Sequence, residues 1–259
     1  MKLISSLQNP LIKQILQLQE KSRERKNENL FVIDGWKETL LAISNGYEIE
    51  TILFRKGFGL NFDALTTENV IEISEEVFDR ISYRGNTSKV VSIVKQKSHL
   101  LKDIQFKNKE KQLVLVLDGI EKPGNLGAII RTADAAGTDG VICCDSQTDI
   151  YNPNVIRSSV GCLFTMQVAV CSREDCFEFL KASKITVFTT SLKATRNYLN
   201  CDYTKPSAFV LGAEATGVDM FWENNSDSNI MIPMRGQNDS LNVSNTAAII
   251  LFEALRQRR

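Results

Sequence analysis

The sequence predicts an α/β protein in two parts: a smaller alternating α/β domain, then a larger one built on a parallel sheet. Three observations carry this. Short Val/Ile/Leu-rich runs recur along the chain, and those of the second half lack the in-out alternation of a half-exposed strand, as expected of parallel strands covered on both faces. Segments with helical apolar spacing stand between these runs. A stretch rich in Lys, Gln and Asn, residues 98–111, interrupts the pattern and reads as a linker, so that 1–97 and 112–259 are the expected domains.

In the first domain Asn9-Pro10 opens a helix, with Asn as N-cap and Pro at the first helical position. Leu11, Ile12, Ile15, Leu16 and Leu18 follow at roughly helical spacing. The charged run from Glu20 to Lys26 is either a solvated helix end or a phosphate-contacting patch. Its cations Lys21, Arg23, Arg25 and Lys26, with Lys13 and with Arg84 beside Gly85-Asn86, are the candidate phosphate ligands. Strands are expected at Leu30–Ile33, Thr51–Phe54, Val70–Ile73 and Lys89–Val94. Helices are expected at Trp36–Ser44, closed by Asn45-Gly46, and from a Ser74 cap through Ile81.

In the second domain the expected strands are Leu113–Leu117, Gly140–Cys143, Gln167–Val170, Thr186–Thr190, Ala208–Leu211 and Ile230–Ile232. The expected helices are Leu126–Ala136, Glu174–Ala182 and Val243–Arg256. The last is strongly amphipathic: Val243, Ala247, Ile250, Leu251, Ala254 and Leu255 form one stripe, and cations at its end complement the helix dipole. Such a helix covers its own sheet or serves as a dimer face.

Composition excludes several classes. With 259 residues, 43% of them hydrophobic, the chain can bury a sizeable core. A formal net charge of +0 means that any nucleic-acid contact must come from a local basic face. The six cysteines, Cys143, Cys144, Cys162, Cys171, Cys176 and Cys201, include no Cys-x-x-Cys, and His99 is the only histidine. No zinc site or other metal site is therefore expected, nor a disulfide scaffold, nor Ser–His or Cys–His catalysis. No apolar run suits a signal peptide or a membrane span, so the expectation is a cytoplasmic protein without a membrane partner.

Chemistry is expected at three segments, each following a strand, where open parallel sheets collect ligands. The first runs from Asp118 to Asp134. Asn125 is read as a helix cap, and Arg131, with apolar neighbours, needs either an internal partner such as Asp134 or Glu121, or a phosphate or ribose. Its glycines fit neither the dinucleotide fingerprint nor a P-loop. The second is Leu211-Gly212-Ala213-Glu214-Ala215-Thr216-Gly217, a glycine-bracketed loop carrying one carboxylate. The third is Ile232-Pro233-Met234 followed by a polar loop to Ser240-Leu241-Asn242-Val243-Ser244, where Ser240 and Asn242 are helix caps or ligand contacts.

These three segments, in this order, resemble the motifs of the SpoU (TrmH-like) RNA ribose 2′-O-methyltransferases, over about residues 112–259. More loosely, Ile4-x-Ser6-x-x-Asn9-Pro10-x-Ile12-Lys13 through Phe31-Val32-Ile33-Asp34-Gly35 is similar to the L30e-like substrate-binding domain of the ribosomal-RNA branch, with Asp34 where many relatives carry Glu. The resemblance implies a SPOUT-type parallel sheet with a C-terminal trefoil knot, a topology that general threading rules disfavour. It implies S-adenosyl-L-methionine as cofactor, held by Leu211, Gly212, Ala213 and Gly217, by Ile232, Pro233 and Met234, and by Ser240, Leu241 and Asn242. It implies a homodimer with the active site near the interface, and RNA as partner, with 23S ribosomal RNA ahead of transfer RNA.

The implied catalytic group is Arg131 with Asn125, Glu214, Ser240 and Asn242. A guanidinium stays protonated, so a role in fixing the target phosphate and steadying developing alkoxide charge suits Arg131 better than that of a base. Two alternatives remain at this point. One is a non-catalytic RNA-binding protein on the same fold, whose signature would be loss of Arg131, Glu214 or Asn242. The other is a Rossmann methyltransferase, which would show a Gly-x-Gly loop after its first strand.

Overall fold

The computed structural model describes residues 3–59, 67–83 and 88–259. They form two compact units. One takes the chain up to Ser98 together with Asp149–Thr165; the other takes His99–Thr148 and Met166–Arg259.

The first unit begins β1 (Leu3–Ile4), α1 (Pro10–Glu20), α2 (Ser22–Glu28), β2 (Leu30–Asp34), α3 (Trp36–Ser44) and β3 (Ile49–Arg55). It continues β4 (Val70–Ile73), α4 (Glu75–Ile81) and β5 (Val90–Lys95). Both expected caps form: the Asn9 side chain accepts from the Leu11 N–H, and that of Ser74 from the Val77 N–H. The sheet order is β1-β4-β3-β5-β2, parallel across β1, β4 and β3 and antiparallel across β3, β5 and β2. Ile12, Ile15 and Leu18 of α1 and Val77, Phe78 and Ile81 of α4 bury against one sheet face. The chain breaks helix at Lys21, which is extended, and re-enters it as α2.

The second unit holds β6 (Leu113–Asp118), α5 (Pro123–Ala135) and β7 (Gly140–Cys144). After α6 (Pro153–Ser159) and α7 (Cys162–Thr165), which belong to the first unit, it resumes with β8 (Val168–Cys171), α8 (Arg173–Ala182), β9 (Thr186–Thr190) and β10 (Arg196–Asn197). It ends β11 (Ser207–Leu211), α9 (Met220–Asn225), β12 (Ser228–Met231) and α10 (Val243–Gln257). All seven strands run parallel, in the order β10-β12-β9-β11-β6-β7-β8. Every residue of β6, β7 and β11 is buried, which is why their sequences show no alternation. The stripe of α10 packs on α5 and β11. Beyond the dipole role expected of its terminal cations, Arg258 donates to the carbonyls of Tyr203, Lys111, Gln112 and Lys205 at 2.7–3.1 Å, which fastens the end of α10.

Two boundaries differ from expectation. Residues 98–111 are not a free linker: Ile104 is buried in the core of the second unit, Phe106 stacks on Phe179, and His99 Nδ1 lies 2.8 Å from the Val168 carbonyl. Asp149–Thr165, inside the span expected to form one domain, belongs to the first unit. There Tyr151 and Phe164 stack on Phe31 of β2, and Gly161 lies so close to Leu41 of α3 that a Cβ would stand 2.7 Å from its side chain.

Candidate active site

The C-terminal edge of the parallel sheet presents the ends of β6, β11 and β12, and the loops leaving those three strands carry the expected motifs. Two small polar side chains and one carboxylate join across them. Asn125 Nδ2 donates to Glu214 Oε1, and Asn242 Nδ2 donates to Asn125 Oδ1 at 3.3 Å. Residues 89 and 117 positions apart in sequence thus form one hydrogen-bonded chain. Glu214 Oε2 is buried with no hydrogen-bond partner among the described residues. A carboxylate oxygen in that state is costly unless something else binds it.

Local structure explains each placement. Asn125 is not the cap of α5; the helix starts after Lys122 with Pro123 at its first position, so Asn125 sits in the first turn with its side chain free to reach Glu214. Asn242 is the N-cap of α10, and its Oδ1 accepts from the Ser244 N–H at 2.9 Å and the Ser244 hydroxyl at 2.6 Å, which leaves its NH2 group for Asn125. Glu214 lies in a loop that closes on itself through Gly217 N–H to the Ala213 carbonyl, 2.9 Å. A Cβ on Gly212 would stand 2.2 Å from the backbone of Gly217 and Val218, so this glycine makes room for the loop's own backbone. Gly217 has φ +72°, a left-handed conformation that favours glycine.

A second layer holds that loop from below. Arg173 forms ion pairs with Asp219 (2.8 Å), Asp145 (3.0 Å) and Asp118 (3.3 Å). Asp219 caps α9, and its N–H donates to Asp118. Burial raises the pKa of Asp118 above the ordinary carboxylate value, partly opposed by the Asp219 N–H and by Arg173.

Other expected site residues are placed differently. Arg131 is exposed, and no hydrogen bond or ion pair engages its guanidinium among the described residues, so neither Asp134 nor Glu121 is its partner. Six residues beyond Asn125 on one helix, it stands about 9 Å along the axis and about 120° round it. Asn125 and Glu214 bond each other, and neither bonds Arg131 among the described residues. Ser240 is exposed and its hydroxyl bonds Asp239 at 3.1 Å, outside the Asn125–Glu214–Asn242 chain. Leu211 and Ala213 are buried, Ile232 and Met234 partly so, and Pro233 and Leu241 exposed.

Of the candidate phosphate ligands, Lys13, Lys21, Arg23 and Lys26 are exposed. Arg25 is a correction. It is buried, with Nε 2.6 Å from Asp149 Oδ2 and Nη1 donating to the Leu18 carbonyl at 2.6 Å. Its charge is spent inside the first unit. Arg84 lies outside the described residues. In the same unit Arg157, held by Asn154 at 3.0 Å, lies over the exposed ring of Tyr83, a pair that sequence reading missed. The signal was available, because Asn152-Pro153 repeats the Asn-Pro helix start of residues 9–10 and opens α6.

Comparison with known proteins fits this geometry. The profile of the SpoU rRNA Methylase family matches residues 112–252, and that of the MRM3-like substrate binding domain matches residues 9–92. The chain belongs to the SpoU rRNA methylase family. Among its relatives, the 23S rRNA (guanosine(2553)-2′-O)-methyltransferase RlmP of Bacillus subtilis is 30% identical over 97% of this chain and 98% of its own length. The 23S rRNA (uridine(2479)-2′-O)-methyltransferase of Streptomyces viridochromogenes is 30% identical over 88% and 83%. Two solved structures share the fold. AviRb from Streptomyces viridochromogenes, in complex with AdoMet, superposes with a TM-score of 0.87 at 28% identity, over 96% of this chain and 99% of that one. An AdoMet-bound rRNA methyltransferase from Sinorhizobium meliloti gives 0.86 at 31%, over 98% and 97%. Within the SpoU family the α/β architecture and the parallel sheet are thus accounted for. No helix among the described residues is long and apolar enough to cross a membrane.

Proposed function

We propose that this SpoU protein is a cytoplasmic S-adenosylmethionine-dependent methyltransferase that modifies a ribose 2′-hydroxyl of 23S ribosomal RNA. The observation that carries the reading is the Glu214–Asn125–Asn242 chain, which gathers three distant motifs at one end of a parallel sheet and leaves a buried carboxylate oxygen unpaired. Near-complete coverage of two 23S rRNA 2′-O-methyltransferases in both directions favours that substrate over transfer RNA.

The residues present fit the cofactor. Leu211 and Met231 end parallel strands of one sheet, so the 212–217 and 232–242 loops leave from the same edge. Ala213, Ile232, Met234 and Leu241 would supply apolar walls for the adenine and the carbon chain of the cofactor, and Gly212, Gly217, Pro233 and Ser240 the backbone turns around them. When bound, the cofactor supplies a sulfonium-activated methyl group.

The protein's own task is to place the acceptor. Asn125 and Asn242 hold the Glu214 carboxylate in one orientation, and its free Oε2 accepts from an incoming hydroxyl. Arg131, with no partner among the described residues, fixes the neighbouring phosphate and steadies negative charge on the sugar oxygen as the hydroxyl proton passes to the Glu214 carboxylate. Much of the acceleration then comes from alignment.

In this reading residues 112–259 carry the methyltransferase domain, with the chain knotted where α10 returns from β12 to pack on α5, and residues 1–97 form an L30e-like RNA-binding domain. The enzyme acts as a homodimer. Exposed Phe252 on α10 and exposed Arg131 on α5, two helices packed together, favour a subunit contact that completes the site. The test is transfer of tritiated methyl from S-adenosylmethionine to 23S rRNA, with 2′-O-methyl mapping of the product. Arg131→Ala should lower turnover at least about 100-fold while RNA binding persists. Near wild-type turnover in that variant would overturn the assignment of Arg131.

A further inference from the structure

Three of the six cysteines converge at a place the methyl-transfer chemistry does not use. Cys144 ends β7, Cys171 ends β8, and the two are register partners in neighbouring parallel strands. Cys176 lies in the first turns of α8, which Ser172 caps by accepting from the Asp175 N–H at 3.1 Å. The three Sγ atoms all lie within 4.8 Å of one another. Cys144 and Cys176 are buried, while Cys171 is only partly buried and gives the cluster one side toward solvent.

Packing as small apolar groups accounts for the burial of Cys144 and Cys176 in the core of the second unit. It does not account for three sulfurs meeting at one point. Thiolates bind a d10 ion at about 2.3 Å, which puts ligand sulfurs of a tetrahedral site about 3.8 Å apart. The observed cluster reaches that spacing by closing less than about 1 Å, within side-chain rotation of cysteine.

We propose that Cys144, Cys171 and Cys176 form a three-thiolate site for one zinc-class d10 cation, with the fourth coordination position open to solvent beside Cys171. Binding releases thiol protons and ties the ends of β7 and β8 to the start of α8. The sequence hid the site because its ligands come from three elements rather than one short motif.

The test is titration of the reduced full-length protein with Cd2+. A sulfur-to-metal charge-transfer band should appear and saturate at one equivalent, zinc should compete it away, and zinc should raise the unfolding temperature. Cys171→Ser, at the solvent side, should fold like the parent and lose the band, whereas Cys162→Ser, outside the cluster, should keep it. Absence of the band, or a band unchanged in Cys171→Ser, overturns the proposal. Cys171→Ser decides the matter alone, whether or not Cys144→Ser and Cys176→Ser fold.

Discussion

The amide of Asn125 is used at both ends: its NH2 serves Glu214 and its carbonyl oxygen serves Asn242. A side chain in that position has no spare conformation, and this makes the two flanking bonds interdependent. Hydrogen bonds to a charged carboxylate contribute about 1.5–3 kcal/mol, and contacting residues couple by about 0.5–3 kcal/mol. Asn125→Ala and Glu214→Ala should therefore be strongly non-additive in methyl transfer, the double variant being little worse than either single one. A double-mutant cycle on kcat/KM measures this, and full additivity would mean that the two residues act separately. Asn125→Asp should be worse than Asn125→Ala, because it sets a second carboxylate against Glu214.

At the scale of elements, the 212–217 loop is fixed by its own backbone. Gly212→Ala puts a methyl 2.2 Å from the Gly217 carbonyl, so the loop must open. The expected outcome is loss of S-adenosylmethionine binding by calorimetry with the far-UV circular dichroism retained, since β11 ends before the clash. Beneath the loop, Asp118 gives a pH signature. The fold raises its pKa, so the native state holds this proton more tightly than the unfolded chain does. The stability it contributes is complete below the ordinary carboxylate value and is lost as pH rises through the folded value. Asp118→Asn keeps an acceptor for the Asp219 N–H and cannot ionise. In urea unfolding, its stability relative to wild type should rise as pH increases from about 4 to 7, and a flat difference would show that Arg173 fully compensates the buried charge. Elements of this kind were legible to different degrees. The longer strands of both units and α10 followed from composition and stripe, because burial on two faces leaves an unbroken apolar run and burial on one helix face leaves a periodic one, whereas the two-residue β1 and β10 leave neither. Arg173 left none, because its three acidic partners come from the ends of separate strands and from the α9 cap. Helix α6 did leave a trace, in Asn152-Pro153, but its membership of the first unit rests on Tyr151 and Phe164 meeting Phe31, which no local pattern encodes.

For the whole molecule, a net charge of +0 means that affinity for RNA is a matter of where cations face. The run from Lys21 to Lys26 looked uniform in sequence, yet the structure divides it. Arg23 and Lys26 are exposed, whereas Arg25 is about 1% exposed and paired with Asp149. The distinction needs a partner 124 residues away, so it could not be read from the run itself. It predicts opposite consequences for neighbouring substitutions. Arg23→Glu and Lys26→Glu should leave the unfolding midpoint unchanged, weaken RNA binding at low salt, and reduce the slope of log K against log salt by roughly 0.7–0.9 for each phosphate no longer neutralised. Arg25→Ala should leave that slope intact and cost up to about 3 kcal/mol of stability in the first unit, because the partly buried Asp149 loses its counter-charge and the space filled by the buried Arg25 side chain is left open. Restoring the balance with Arg25→Met in an Asp149→Leu background should recover much of the loss, since buried ion pairs are often replaceable by packed apolar side chains. Filter binding across a salt series and chemical denaturation separate the two effects. A changed salt slope in Arg25→Ala, with stability unaltered, would mean that the guanidinium turns outward to RNA and that its pairing with Asp149 does not hold the first unit together.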